Sequence, residues 1–418
     1  MERKKIITLD RAHIRRKESF PFVMGDANGS FIYDVNGKQY LDFMAGLYGC
    51  VAVGWKEKSV VSAMSEQMNQ FNFAPDRCPS EICSKLAKAI TTLTPNNLSV
   101  CLRATSGSEA NDLVIKAVRA SSTKSGFVAM RDAYHGQTIG SLSLGDKNSV
   151  KDRIGPLMPG VKRVEFPYCY RCKWSTNCSM QCLNQVSYVL EKGKSAALIL
   201  EPVQGVGAVV PPKQYMKQLR SICSENNVYL VFDEVITGFG RMGELFATNF
   251  FNVKPDLMVL GKGLSSGYAP ISSVVVSKKV SKDLGGSGNT TTFGWNPICA
   301  AAAYSNIKFL VKNKLPQKAK KSGKFFKKRI AEIIENKYVG EIRGEGLIFG
   351  IELVKNKLTK KPSADIANKI YSECLKKGLF LATDGRFENT LMITPPLIIT
   401  KDELDKGISI IEDVLKKF

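Results

Sequence analysis

The sequence predicts an α/β protein with a largely parallel sheet and a second, smaller domain, and three observations carry that prediction. Short apolar runs rich in Val, Ile, Leu and Phe recur at 99–103, 126–131, 196–200, 228–232, 257–260 and 271–277, the signature of buried strands. Helical patterns lie between them at 109–120 and, after a Pro-Pro start, at 212–226; strands separated by helices pair in parallel. After Asn296-Pro297 the pattern changes to long helices at 298–311 and 317–336, then shorter strands around 340–353 and 390–393. With the hairpin-like stretch 29–42, this tail reads as the smaller domain. The expected division is 1–60 as an N-terminal segment of the smaller domain, 61–297 as the large domain and 298–418 as the C-terminal part of the smaller one.

Composition sets the outer limits. The 418 residues are 44% hydrophobic and 23% charged, enough for two domains with ordinary cores. No apolar run approaches the roughly 20 residues that span a bilayer. The opening Met1-Glu2-Arg3-Lys4-Lys5 has no apolar segment behind it that reads as a secretory signal. The expectation is a soluble, cytoplasmic protein with no membrane partner. Sixty basic residues against 38 acidic give a net charge of +22. The densest basic run, 318–329, sits in a helical pattern with no nucleic-acid-reading motif, so it reads as a solvated surface and no nucleic-acid partner is expected. Two histidines, His13 and His135, leave little material for a histidine metal site or a Ser-His-Asp triad. Eleven scattered cysteines argue against a disulfide framework.

Unusual residues follow each central strand: Ser106-Gly107-Ser108, Tyr134-His135-Gly136, Glu201-Pro202, Asp233-Glu234 and Gly261-Lys262-Gly263. In a parallel sheet these positions converge at the carboxyl ends of the strands, where ligands bind. Ser106 to Asn111 opens a helix, and its small residues suit a phosphate as well as they suit a plain N-cap with Glu109 in the first turn. Asp233 ends an apolar run, and a buried carboxylate needs a partner. That partner is either a protonated pyridine nitrogen, as pyridoxal 5′-phosphate (PLP) would offer, or Arg241 in an ion pair. Glu234 points to the opposite side of the strand. Lys262 lies between glycines that let its backbone come close to another group, and burial would lower its amine pKa. Tyr134 offers a ring to stack on a planar cofactor, or is a half-buried core tyrosine.

In order and spacing these motifs resemble those of the class III PLP-dependent aminotransferases. The resemblance runs through Asp34-Val-Asn-Gly37-Lys-Gln-Tyr40-Leu-Asp42, Ser106-Gly-Ser-Glu-Ala-Asn111, Tyr134-His-Gly136, Glu201-Pro-Val-Gln-Gly205 and Phe232-Asp-Glu-Val235. It continues with Gly238-Phe-Gly-Arg241, Lys262, Thr291-Thr-Phe-Gly-Trp-Asn-Pro297, Arg343-Gly-Glu-Gly346 and Pro395-Pro396. It implies a fold type I architecture: a large domain with a mostly parallel seven-stranded sheet, a smaller α+β domain, and a homodimer with shared active sites. By position it implies that Lys262 forms the Schiff base and carries the proton, and that Asp233 holds the pyridine nitrogen protonated. Gly107 and Ser108 would bind the phosphate, Tyr134 and Val235 would pack on the two ring faces, and His135 and Glu201 would support them. Thr292 would reach the cofactor phosphate of the partner subunit.

Departures from the pattern narrow the substrate. Val206 and Met392 stand where ornithine- and 4-aminobutyrate-type members carry a glutamate and an arginine, and Ile236 stands where many carry a glutamine. The chain is in these respects similar to the ω-amino-acid/amine:pyruvate branch, with Tyr48 and Arg386 as substrate-side candidates. The activity implied is transfer of an amino group from an ω-amino acid, diamine or amine to a keto acid such as pyruvate or 2-oxoglutarate. An ornithine- or 4-aminobutyrate-type enzyme, a PLP-dependent decarboxylase, aminomutase or racemase, and a non-catalytic basic binding protein are the alternatives. Cys169-x2-Cys172-x5-Cys178-x3-Cys182 could hold zinc or an iron–sulfur cluster, or be free thiols in a loop; no metal is assigned to it.

Overall fold

The computed structural model describes residues 3–14, 22–146, 151–174 and 178–418. Seven strands form its central sheet, in the order Val100–Ala104, Ser272–Val276, Leu257–Leu260, Tyr229–Asp233, Ser195–Leu200, Gly126–Met130, Val161–Val164. All neighbours pair in parallel except Ser272–Val276, which runs antiparallel to both of its partners. Three strands flanked on both sides, Ser195–Leu200, Leu257–Leu260 and Ser272–Val276, are mostly apolar and buried at every position, as a sheet covered on both faces requires. Six of these strands are predicted by pattern alone. The seventh, Val161–Val164, escapes it because Lys162 and Arg163 break the apolar run; charges of this kind suit an edge strand, which must not pair further.

Two smaller sheets complete the molecule. One joins Met24–Asn28, Phe31–Asp34 and Gln39–Asp42 to Leu379–Phe380, so the N-terminal hairpin and the C-terminal part of the chain share a sheet. The other contains Val339–Glu345, Ile348–Asn356, Thr390–Ile393 and Ala382–Asp384, with Lys361–Pro362 paired at its side. The helix Pro297–Lys312 packs against Lys58–Gln70 and Glu81–Leu93, across the expected division at 297/298. A continuous apolar cluster runs from Leu41 and Phe43 through Leu260 and Leu264 to Phe349 and Ile393 and draws on all three sheets, with two further buried clusters beside it. No described helix is long and apolar enough to cross a membrane.

Candidate active site

The carboxyl ends of the central strands open on a cavity of about 370 Å³. Its walls include Gly107, Ser108, Tyr134, His135, Glu201, Asp233, Val235 and Lys262, so eight of the residues singled out in the sequence meet around one space.

Asp233 is 3% exposed and held from three directions. Its Oδ2 accepts from Asn111 Nδ2 at 2.9 Å and pairs with His135 Nδ1 at 2.8 Å, while Oδ1 accepts from the Val235 N–H at 3.1 Å. Arg241 is not its partner: that guanidinium donates to the carbonyls of Leu347, Pro395 and Gly49. Glu234, next in sequence, turns away from the cavity and accepts from the Ala247 and Thr248 N–H groups and the Thr237 hydroxyl. Glu201 accepts from the N–H groups of Tyr134 and Gly205, and burial, reinforced by nearby Asp233, pushes its carboxyl up to about 7.

Lys262 follows strand Leu257–Leu260 with φ +37°, a left-handed conformation costing a non-glycine residue about 1–3 kcal/mol. Burial lowers its amine pKa, and Nζ has no hydrogen-bond or ion-pair partner among the described residues. It lies 6.0 Å from the centre of the Tyr48 ring. Tyr48 is also left-handed, at φ +50°, and its phenol faces the Asp384 carboxylate; burial and that carboxylate raise its pKa.

Helix Gly107–Ala120 begins at the cavity, capped by the Ser106 hydroxyl, which accepts from the Glu109 N–H. The capping reading and the ligand reading are therefore compatible: Ser106 caps, and Gly107 and Ser108 line the cavity at positions whose N–H groups have no intrahelical acceptor. Ser108 Oγ accepts from the Gln137 N–H at 3.0 Å, which leaves its own proton to donate. Gly136 folds over this helix start at φ +138°, and a Cβ there would stand 2.5 Å from Ser108 Oγ. Tyr134 is 44% exposed at the cavity mouth.

Other candidates stand elsewhere. Thr292 is exposed and lines a separate cavity with Asp76, Arg103 and Trp295. Arg386 is in ion pairs with Asp132 and Glu165 and lines the cavity that holds the cysteines. Val206 and Met392 are buried, and Ile236 lies on the Lys262 cavity. Cys169, Cys172, Cys178 and Cys182 line one cavity of about 300 Å³ as free thiols. No group of three or more His, Cys, Asp or Glu among the described residues is placed to hold a metal ion.

Sequence reading missed Asn111. Its amide bridges the His135 carbonyl, at 2.7 Å, and Asp233. The available signal was its place four residues after Gly107, on the inner face of the helix that opens at the cavity.

A seven-stranded, mostly parallel sheet with a buried, unpartnered lysine and a triply held aspartate at its carboxyl edge defines a fold type I PLP enzyme. The cavity fits that cofactor. Buried His135 Nε2 and Asn111 Oδ1 have no partner among the described residues, and the glycine-opened helix start offers N–H groups to a phosphate. The chain matches the aminotransferase class-III family model over residues 13–415 and belongs to that family. It is 34% identical over 413 residues to an alanine/serine racemase of Pyrococcus horikoshii, covering 95% of this chain and 86% of that one. It is 33% identical over 411 residues to a putrescine–pyruvate aminotransferase of Pseudomonas aeruginosa, covering 93% and 89%. An (S)-enantioselective ω-transaminase from Thermomicrobium roseum superposes with a TM-score of 0.90 at 28% identity, covering 99% of this chain and 98% of that one. The chain is a PLP-dependent aminotransferase.

Proposed function

We propose that this aminotransferase takes its amino group from an ω-amino acid, diamine or amine and delivers it to a keto acid such as pyruvate or 2-oxoglutarate. The observation that carries the reading is the buried, unpartnered Lys262 amine between Asp233 and Tyr48. When bound, PLP supplies an electron sink. Asp233, backed by Asn111 and His135, holds the proton on the pyridine nitrogen that this sink needs. Gly107 and Ser108 take the phosphate through their N–H groups and the Ser108 hydroxyl. Tyr134 and Val235 cover the two ring faces, and Glu201 fixes the Tyr134 backbone. Lys262 Nζ anchors the cofactor. The same nitrogen would take up and hold the proton from the donor's amine-bearing carbon, a task its burial-lowered basicity suits.

Val206 and Met392 are apolar and buried where a glutamate and an arginine would otherwise stand, which favours an amine or the carbon chain of an ω-amino acid. Arg386 receives a substrate carboxylate only by leaving Asp132 and Glu165, so carboxylate-free donors are favoured. The assembly is a homodimer in which Thr292 reaches the partner's cofactor phosphate. Exposed Thr292 and the exposed Phe73–Phe293 ring pair beside it support this reading. The eleven free thiols favour the reducing cytoplasm. Three of the seven basic residues of helix Leu315–Ile330 are in ion pairs, Lys320 with Glu244, Lys327 with Glu345 and Arg329 with Asp405 and Glu412, which favours a surface role over nucleic-acid binding.

The test is a panel of putrescine, β-alanine, 4-aminobutyrate, 1-phenylethylamine and L-alanine, each with pyruvate and with 2-oxoglutarate. Amino transfer from one of the first four is expected, and borohydride is expected to fix a phosphopyridoxyl group on Lys262. Lys262→Ala should retain PLP and lose turnover by three or more orders of magnitude, since proton transfer alone contributes about 10²–10⁴-fold. Conversion of L-alanine to D-alanine without keto-acid exchange would instead favour the racemase reading. Near-normal transfer by Lys262→Ala would end the mechanism.

A further inference from the structure

Asp42 and Arg241 are both fully buried, and neither lines the cavity around Lys262. Both act on the turn Ala45–Gly49, which carries Tyr48. The turn is strained: Ala45 and Tyr48 are left-handed at φ +45° and +50°, and Gly46 and Gly49 stand at +76° and +74°. Strain of this kind persists only where surrounding groups over-determine it. Asp42 does so at the start of the turn, where Oδ1 accepts from the Met44 N–H at 2.9 Å and Oδ2 from the Gly46 N–H at 2.7 Å. The Trp55 indole donates to the same Oδ2 at 2.9 Å and fixes the carboxylate's orientation. Arg241 does so at the end, where Nη2 donates to the Gly49 carbonyl at 3.3 Å. Its other nitrogen, Nη1, donates to Leu347 O at 3.0 Å and to Pro395 O. The guanidinium follows Asp233 by eight residues and fastens the Tyr48 turn to the large domain and to the C-terminal part of the chain at once. The fit is close, since a Cβ at Gly49 would stand 2.9 Å from Arg241 Nε. The two charges also face each other electrostatically: Asp42 counters the burial that lowers the Arg241 pKa, and Arg241 the burial that raises that of Asp42.

We propose that Asp42 and Arg241 are positioning residues that hold the Tyr48 turn against Lys262 and so set how firmly the amino donor is bound. This rests on the reading of Tyr48 as donor-facing. Asp42→Asn removes the charge and one acceptor with little change of volume. In the holoenzyme, hydrogen exchange at residues 44–50 is expected to accelerate tenfold or more while the central sheet stays protected. The KM for the best donor of the panel should rise on the order of tenfold to a hundredfold, the penalty of slight misplacement, with kcat and PLP retention near wild type. If the pair acts through Tyr48, Asp42→Asn should add nothing to the KM of Tyr48→Ala. Gly49→Ala keeps both charged groups and pushes the turn off Arg241. It should give the same split between KM and kcat, and it carries the test if Asp42→Asn does not fold. Unchanged exchange in the turn, an unchanged donor KM, or full additivity with Tyr48→Ala would overturn the proposal. Should no donor on the panel be used, the exchange measurement still decides whether the pair clamps the turn, so failure of the functional reading and failure of the clamp are told apart.

Discussion

Glu201 and Asp233 end neighbouring strands and face one cavity, yet their surroundings treat them differently. Asp233 accepts from Asn111, His135 and the Val235 N–H. Glu201 has two backbone donors against complete burial and a neighbouring carboxylate, and is pushed up to about 7. Glu234, outside the cavity, is likewise pushed up to about 7 by burial. The unfolded value of such a carboxyl is about 4.3, so folding favours the protonated form. The stability these two groups contribute is complete below the unfolded value and is lost as pH rises through about 7. The holoenzyme melting temperature is expected to fall as pH rises from about 4.3 through about 7 and to level off above it. Glu234→Gln, which cannot ionise, should flatten that fall while leaving the donor profile intact. An unchanged slope in the variant would remove Glu234 as a cause.

The loop after strand Gly126–Met130 has to do two things in a few residues: present Tyr134 and His135 to the cavity, and cross the start of helix Gly107–Ala120. Gly136 makes the crossing possible, at φ +138° and with no room for a side chain beside Ser108. Gly136→Ala is therefore expected to push the loop away from the phosphate cradle. PLP should be lost on dialysis at least about tenfold faster, equivalent to roughly 1.4 kcal/mol of binding, while the central sheet remains folded. The helix start and the strand ends were legible in the sequence because apolar runs stop at chemistry-bearing residues. The crossing itself was not legible, because contact between Gly136 and Ser108 joins residues 28 positions apart.

The whole molecule presents an exposed apolar ridge rather than a uniformly polar surface. Phe293 is 64% exposed and Phe73 40%, their rings meet edge-on at 6.1 Å, and Thr292 is beside them. In the proposed homodimer this ridge is covered. Phe293→Asp should shift the protein from dimer to monomer in sedimentation at micromolar concentration, and transamination should fall in parallel as Thr292 is withdrawn from the partner's site. A variant that stays dimeric and fully active would place the interface elsewhere.

The sequence by itself determined the alternation of strands and helices, the set of residues at the strand ends and, through the order of its motifs, the cofactor they serve. Each of these is local: periodicity, a stop in an apolar run, a glycine beside a lysine. Only the tertiary structure decided which partner each buried charge takes. Arg241 could have paired with Asp233, eight residues earlier, and instead binds the carbonyls of Gly49, Leu347 and Pro395. Asn111 had only its place on the inner face of the helix to mark it until the fold brought it to Asp233, 122 residues away. Arg386 was a substrate-side candidate in the sequence and is an ion-pair partner of Asp132 and Glu165 in the fold. The physical reason is the same in each case. A buried charge or amide is satisfied by whichever group the chain brings within about 3 Å, and that distance is set by packing across the molecule rather than by spacing along it.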